Sequence, residues 1–534
     1  MIKFLYFLIL LIVLVKAKLR LDPLVQTSSG LIRGLNANDG DYSMFLGIPY
    51  AQVNQSNVFG DAIPISEFDE IFEAYDDSSM CPQIEDTNNT ISGTLDCLHL
   101  NIYVPNIATS KTPLPVMIWI HGGYLNNGYA GRYRFGPKFL VSHDIILVTI
   151  NYRLGPYGFM CLDIPEIPGN QGLKDQYLAI KWIRENIKEF GGDPNQITLA
   201  GHSAGSKCVE AHLLSKKKTM FNKVIMQSGS VLGPNVLDLP DKDALKKLSS
   251  YLGFVSDDIN SQIEFLSNYS TDLVIKASSE LNLNFYMCVE KRFDSIDHFM
   301  YEHPEHASYV KTKKMPILIG FTSKERMIES KKVGIFGDPK YIEQQLKGLF
   351  SLEESEEMID VVRHFYIGDE PNSDMETELI DLISDFIYNY PIQRSIELFL
   401  KNDANVYQYL FSYDGERNMV KKESNLTLAG AAHADELAFL FDLSYDKVIN
   451  DNDQIIVDTI TGYWTNFVKH GDPNSESTEL LRWRQATNDK LYYMDIDSVL
   501  SIGTRPFNRR LTFWKLFFKH NEKNHRAHKY FSNL

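Results

Sequence analysis

Gln196-Ile197-Thr198-Leu199-Ala200 runs straight into Gly201-His202-Ser203-Ala204-Gly205, and Ser206 to Ser215 behind it has the composition of a helix. Strand, Gly-x-Ser-x-Gly, helix is the order of a nucleophile elbow, a turn so sharp that its serine takes a strained backbone conformation and the flanking positions must be glycine to avoid collision. Ser203 is therefore a candidate nucleophile exposed above a sheet. At ordinary Gly and Ser frequencies the pentapeptide arises by chance on the order of 0.1 times in such a chain, so its partners must decide the reading.

The neighbouring runs place the elbow in a larger pattern. Val25 to Gly34 alternates loosely around Gly30 as a hairpin does, Phe45 to Ala51 reads as a short strand ended by Pro49, and Asp96 to Val104 alternates clearly. Pro115 to Ile120 and Asp144 to Tyr152 are continuous apolar runs, which suit strands buried on both faces. Leu173 to Phe190 has apolar residues every three or four positions and is closed by Gly191, Gly192 and Pro194, the pattern of an amphipathic helix. Past the elbow, Lys223 to Ser228, Met315 to Gly320 and Val406 to Ser412 read as strands, and Ile455 to Lys469 as a helix. The stretches 241–285 and 338–400 are more helical. Strands alternating with helices predict an α/β fold with a large, mostly parallel sheet covered on both faces and helical insertions over the ends of its strands.

With 534 residues, 44% hydrophobic and 12% aromatic, the chain can bury a substantial core, and no repeat or low-complexity linker divides it. The net charge of -16 argues against a nucleic-acid partner, which needs a basic face. Lys3 leads into the apolar run Phe4 to Val15, and Val15-Lys16-Ala17 offers small residues for cleavage. Residues 1–17 read as a cleaved signal peptide, with an uncleaved anchor as the competing reading. Residues 18–534 then read as one secreted, extracellular domain, of which 515–534 form a basic C-terminal tail rather than a membrane stalk or lipid-anchor signal. No stable membrane insertion is expected.

Secretion changes the meaning of the five cysteines. Cys81 and Cys97 bracket a polar loop rich in Asn, Thr and Asp, where an oxidised bridge forms most easily. Cys161, Cys208 and Cys288 are far apart and sit among apolar residues, which reads as buried free thiols rather than a second bridge. Asn54, Asn88, Asn268 and Asn425 begin sequons and become candidate glycan sites.

A serine hydroxyl is a poor nucleophile at neutral pH. It needs a histidine to take its proton and a carboxylate to hold that histidine in the right tautomer, and in the elbow arrangement these follow in the order nucleophile, acid, base on loops after later strands. After Met315 to Gly320 comes Phe321-Thr322-Ser323-Lys324-Glu325-Arg326, and after Val406 to Ser412 comes Gly430-Ala431-Ala432-His433-Ala434-Asp435, a histidine among small residues that leave room for a substrate. His364 lies in a helical stretch, His470 follows a helix, and His520, His525 and His528 belong to the tail, so they are less well placed. Taken alone, Glu325 also reads as a solvated acid paired with Lys324 or Arg326. Oxyanion donors are offered by His121-Gly122-Gly123-Tyr124, a glycine turn after a buried strand, and by the backbone NH of Ala204.

In these residues the chain resembles the carboxylesterases of the cholinesterase-like (type B) group, which have the α/β-hydrolase fold, and specifically the secreted esterases of arthropods. Phe45 to Ala51, Asp96-Cys97-Leu98, Asn151 to Gly155, Asn170 to Gln176, Phe190 to Pro194 and Gln227 to Ser230 all match stretches of that family in order. The resemblance runs from about Val25 to Trp514. It implies Ser203 as nucleophile, Glu325 as acid and His433 as base, with Gly123, Tyr124 and Ala204 at the oxyanion positions and a Cys81 to Cys97 bridge. Such an enzyme hydrolyses small carboxylic esters and needs no metal or organic cofactor.

Three departures bear on the substrate. The family usually carries a third glycine where this chain has Tyr124, so the ring either narrows the gorge or the NH is mis-aimed. The loop between Cys81 and Cys97 has no Trp, the aromatic face that cholinesterases offer to a quaternary ammonium. Asn235 stands where many relatives place a bulky Trp in the acyl pocket, which implies a pocket of different shape with a polar group. The competing reading is a catalytically weak esterase-fold binding or adhesion protein. Such proteins usually lose a triad residue and gain a membrane span, whereas this chain keeps all three residues and shows no second span.

Overall fold

Eleven strands form the central sheet of the computed structural model, which describes residues 22–85, 89–294, 296–332, 339–351, 355–369, 375–443, 450–474 and 481–526. In chain order they are β1 (Leu35–Asn36), β2 (Tyr42–Pro49), β3 (His99–Pro105), β4 (Leu114–Ile120), β5 (Ile146–Ile150), β6 (Gly192–His202), β7 (Lys223–Gln227), β8 (Pro316–Thr322), β9 (Asn405–Phe411), β10 (Tyr492–Ile496) and β11 (Ser501–Thr504). Across the sheet the order is β11-β10-β9-β8-β7-β6-β4-β5-β3-β2-β1. The pairs from β5 through β10 are parallel, and both margins are antiparallel. The loose alternation at Val25 to Gly34 forms a separate hairpin, Leu24–Thr27 with Gly30–Arg33. The expected signal peptide lies outside the described residues, as does the sequon residue Asn88.

The period of two explains why the middle strands read as unbroken apolar runs. On β4, Val116, Ile118 and Ile120 enter one core and Met117 and Trp119 the other, so every position is covered. The first core is closed by α1 (Gln171–Asn186), by α2 (Ala204–Leu214) and, beyond α3 (Glu376–Ser384), by α4 (Tyr390–Lys401). The second is closed by α5 (Asp451–His470), whose Ile456, Ile460, Tyr463, Trp464 and Phe467 recur at helical spacing. Asn450 caps α5 by accepting from the Asp453 NH at 2.8 Å, and Gly471 ends it at φ 71°, a left-handed position that suits glycine. Removing the Trp464 ring from this core would cost about 3–5 kcal/mol.

Two of the family-like stretches prove to be structural. Arg153 and Asp175, both fully buried, share hydrogen bonds of 2.8 and 2.7 Å, and the same guanidinium donates to the carbonyls of Val58 and Gly60. A buried pair survives loss of water only when its remaining donors are also satisfied, and here they are.

The structure corrects the sequence reading at two places. Cys161 and Cys288 are not free thiols but a second disulfide beside Cys81–Cys97, with Cα atoms 6.6 Å apart, and only Cys208 is free among the described residues. Sequence separation hid the pair. Gly169, at φ 110°, runs so close to both sulfurs that a Cβ there would collide with Cys288 Sγ, and Asn170 holds the second segment through hydrogen bonds to the backbone of Cys288. The expected basic tail starts inside a packed helix as well: α6 (Asn508–His520) continues past residue 515 and buries Trp514, Phe517 and Phe518 against the insertion between β8 and β9. No helix among the described residues is long and apolar enough to cross a membrane.

Peptide mapping without reductant is expected to recover Cys161 and Cys288 as one linked pair and to alkylate only Cys208 after unfolding. The double variant Cys161→Ser/Cys288→Ser should lose about 2–4 kcal/mol of stability, read as a lowered thermal midpoint. Alkylation of Cys161 or Cys288 in the unreduced protein would contradict this pairing.

Candidate active site

Ser203 sits between the last residue of β6 and the first of α2 with φ 55° and ψ -119°, a conformation that costs of order 1–3 kcal/mol in a non-glycine residue. The surroundings leave no alternative. A Cβ on Gly201 would lie 2.5 Å from the carbonyl carbon of Gly205, one on Gly205 would collide with the Ile120 carbonyl, and one on Gly229 with the Ser203 carbonyl. The Ser203 NH donates to the Gln227 carbonyl at 2.8 Å, so the elbow is held between β4 and β7.

The loop after β4 comes up against the same serine, with the Cβ position of Gly122 3.0 Å from Ser203 Cβ. His121 fixes that loop: its ring stacks on Tyr152 at 4.5 Å, and its carbonyl accepts from the Tyr152 hydroxyl at 2.9 Å. Burial lowers His121 to about 4, so it is a neutral donor from Nδ1 to the Gly122 carbonyl at 2.8 Å. Gly123, at φ 118°, accepts from the NH groups of Asn126 and Asn127. Tyr124 then adopts φ 56° and Leu125 φ 65°, both left-handed. The Tyr124 ring is 55% exposed, and its hydroxyl accepts from Arg326 Nη1 at 2.9 Å.

Glu325 and His433 meet through Oε2 and Nδ1 at 2.5 Å. The carboxylate is fully buried, and its other oxygen accepts from the Thr322 NH at 2.8 Å and from Ser228 Oγ at 2.6 Å. Their two loops are joined further by His433 NH to the Glu325 carbonyl, Lys324 NH to the Ala431 carbonyl, and Ala431 NH to Ser323 Oγ. A proton on Nδ1 is what a carboxylate there selects, and it leaves Nε2 as the acceptor. The charged neighbours do not pair with Glu325. Lys324 reaches Asp381 at 2.8 Å, and Arg326 turns to Glu329 and Tyr124.

His433 packs against two further rings, His202 at 4.5 Å and Tyr388 at 4.7 Å. His202 is buried, and desolvation, then the proximity of His433, holds it well below the usual histidine range. Its Nε2 lies 3.9 Å from Glu436 Oε1, which accepts from Gln227 Nε2 at 3.2 Å. Burial, reinforced by Glu325, pushes Glu436 up to about 8. The pair behind His433 is therefore neutral at pH 7.

The sequence-derived candidates Ser203, Glu325, His433, Gly123, Tyr124 and Ala204 thus converge on one end of the sheet. Asn235 does not behave as expected: it is exposed, with φ 54°, and not buried in a pocket. Asn268 and Asn425 are exposed and Asn54 is half-buried. Ser228, Tyr388, His202 and Glu436 were not singled out from sequence. Ser228 lies inside the quoted stretch Gln227 to Ser230, whereas Tyr388 falls in a π-helical turn, Asp385–Asn389, that no local pattern marks.

A model of the carboxylesterase family matches residues 21–514. The chain is 29% identical to juvenile hormone esterase of Heliothis virescens, over 90% of this chain and 91% of that protein. It is 30% identical to esterase B1 of Culex pipiens, over 85% and 89% respectively. Among solved structures it resembles juvenile hormone esterase from Manduca sexta, crystallised with OTFP covalently attached, with a TM-score of 0.81 and 26% identity over 93% of this chain and all of that one.

The elevated value of Glu436 predicts a pH signature. Between its ordinary value of 4.5 and about 8 the folded chain keeps this proton while the unfolded chain has released it, so raising the pH through that window lowers stability. Glu436→Gln has no such proton to lose. Its thermal midpoint relative to the parent protein is expected to rise by about 2 °C or more between pH 5 and pH 8, and parallel curves would rule the linkage out.

Proposed function

The chain belongs to the carboxylesterase family, shares its α/β-hydrolase fold, and is a carboxylic ester hydrolase; from that premise we propose that it is a secreted serine esterase working through an acyl-enzyme on Ser203. His433 Nε2 takes the Ser203 proton as Oγ attacks the ester carbonyl, and the imidazolium is held by Glu325. The NH groups of Gly123, Tyr124 and Ala204 receive the oxyanion. His433 then gives its proton to the leaving alcohol, water enters, and the same histidine deprotonates it as the acid is released.

The observation that carries this reading is the contact between Glu325 Oε2 and His433 Nδ1 at 2.5 Å, made on loops knitted together beside the strained Ser203. Hydrogen bonds from Thr322 and Ser228 hold the carboxylate in place against His433, which is what the role of acid requires. The apolar run at 4–15 supports export, the two disulfides suit an oxidising compartment, and the exposed Asn268 and Asn425, with Asn54, are the glycan sites to examine first. The relatives differ in their named substrates, so the substrate class proposed is the broad one of aryl and aliphatic carboxylic esters.

A fluorophosphonate probe is expected to label the purified protein at one serine. Ser203→Ala should lose both the label and about 10⁴-fold or more of kcat. A folded, unlabelled parent protein would favour the binding or adhesion reading instead. Because the disulfide loop offers no Trp, acetylcholine should be turned over at least about tenfold less efficiently than phenyl acetate. Rapid choline-ester hydrolysis would refute that preference.

A further inference from the structure

The residue that sets this chain apart at the reaction centre is Tyr124, and its surroundings give it a task. The loop that carries it is fixed on the Ser203 side by the approach of Gly122 to Ser203. Its hydroxyl is bound by Arg326, which follows Glu325 directly. Arg326 is itself immobilised: its NH donates to Ser384 Oγ at 3.0 Å, and its guanidinium pairs with Glu329. The neighbouring Tyr388 lies against the His433 ring.

Tyr124 therefore reaches from the nucleophile's side of the site to the side of the acid and base. A substrate carbonyl must sit between Ser203 and His433 in any acyl transfer from this serine. A half-exposed residue tied to Arg326 on the flank of that gap limits what can lie beside the carbonyl.

On the reading proposed above, we infer that Tyr124 and Arg326 form a clasp that closes one flank of the reaction centre and sets its specificity, admitting esters with short chains and excluding long or bulky ones. Two parts of the clasp are separable. The ring supplies the bulk, and the bond from Arg326 keeps the ring in place, because a tyrosine has free rotation about its side-chain torsions without it. The guanidinium is permanently charged and planar, which makes it a stronger anchor for a phenol oxygen than a neutral donor.

Tyr124 supplies an oxyanion NH in the same proposal, so kcat alone would not separate the roles. The ratio of kcat/KM between long and short esters does, because the backbone donor serves every ester alike. The test uses the parent protein, Tyr124→Phe and Tyr124→Gly, each with its active sites titrated by the fluorophosphonate probe. p-Nitrophenyl acetate, butyrate, octanoate and laurate are the substrates.

Tyr124→Gly is expected to raise the laurate-to-acetate ratio by about tenfold or more, and Tyr124→Phe, which keeps the ring and frees it, by a smaller factor of about two to five. Glycine tolerates the left-handed backbone at this position, so the first variant is not expected to unfold. A ratio unchanged in both variants while their serines still label overturns the clasp and leaves the esterase standing. A parent protein that folds but does not label overturns the esterase reading, and the clasp with it.

Discussion

The approach of Gly205 to the Ile120 carbonyl is the contact on which the site depends. It is a backbone-to-backbone packing with no room for a methyl group, and it lets α2 begin directly behind β6 while β4 runs alongside. Once those three elements are locked together, the loop leaving β4 must rise next to Ser203 and the first NH of α2 must lie beside the serine it follows. Gly229 repeats the arrangement on the other flank, against the Ser203 carbonyl, and so places Ser228 within 2.6 Å of Glu325. One steric problem at the end of a parallel strand thereby positions Ser203, the loop of Gly122 and Gly123, and the contact of Ser228 with Glu325. The strain in Ser203 persists because its neighbours over-determine it.

Electrostatics then separates the groups that must carry charge from those that must not. Glu325 is as buried as Glu436, yet they are treated differently. Glu325 receives Thr322 NH, Ser228 Oγ and His433 Nδ1. Glu436 receives Gln227 alone among the described hydrogen bonds and keeps its proton. Burial first, and then the nearby Glu325, hold that proton on Glu436. His202 completes the effect by remaining neutral beside His433. His433 thus meets one carboxylate, Glu325, aimed at Nδ1.

The parts of this arrangement governed by local rules were legible in the sequence. Alternating or continuous apolar runs identified β3 to β9, helical spacing identified α1 and α5, and the elbow's glycines followed from sterics. Glu325 and His433 could be sought on the loops after β8 and β9, and they meet, because the loops after successive strands end on the same side of a parallel sheet. What could not be read depends on contacts between distant segments. Cys161 and Cys288 are joined across 127 residues by the path of Gly169 and Asn170. The part of α6 from residue 515 reads as the start of a basic tail because its Phe517 and Phe518 pair with an insertion whose position no local signal reveals. Asn235 was placed by family analogy alone, and its exposed left-handed turn shows that matching a position does not match a pocket.

Tyr124 belongs to both classes. The sequence showed that a glycine position held an aromatic residue, but not whether the backbone or the ring would yield. In the structure the backbone keeps its left-handed course through Tyr124 and Leu125, at a steric penalty a glycine would avoid. A loop free to relax would move such a residue into an ordinary region. This one is held on both sides, by the hydrogen bonds of Gly123 to Asn126 and Asn127 and by Leu125, whose carbonyl accepts from the Gly155 NH at 2.8 Å. The path of the chain is therefore set by groups other than residue 124, and the side chain has to accept it. With the backbone course fixed, the side chain at 124 can vary while the NH groups of this loop keep their place.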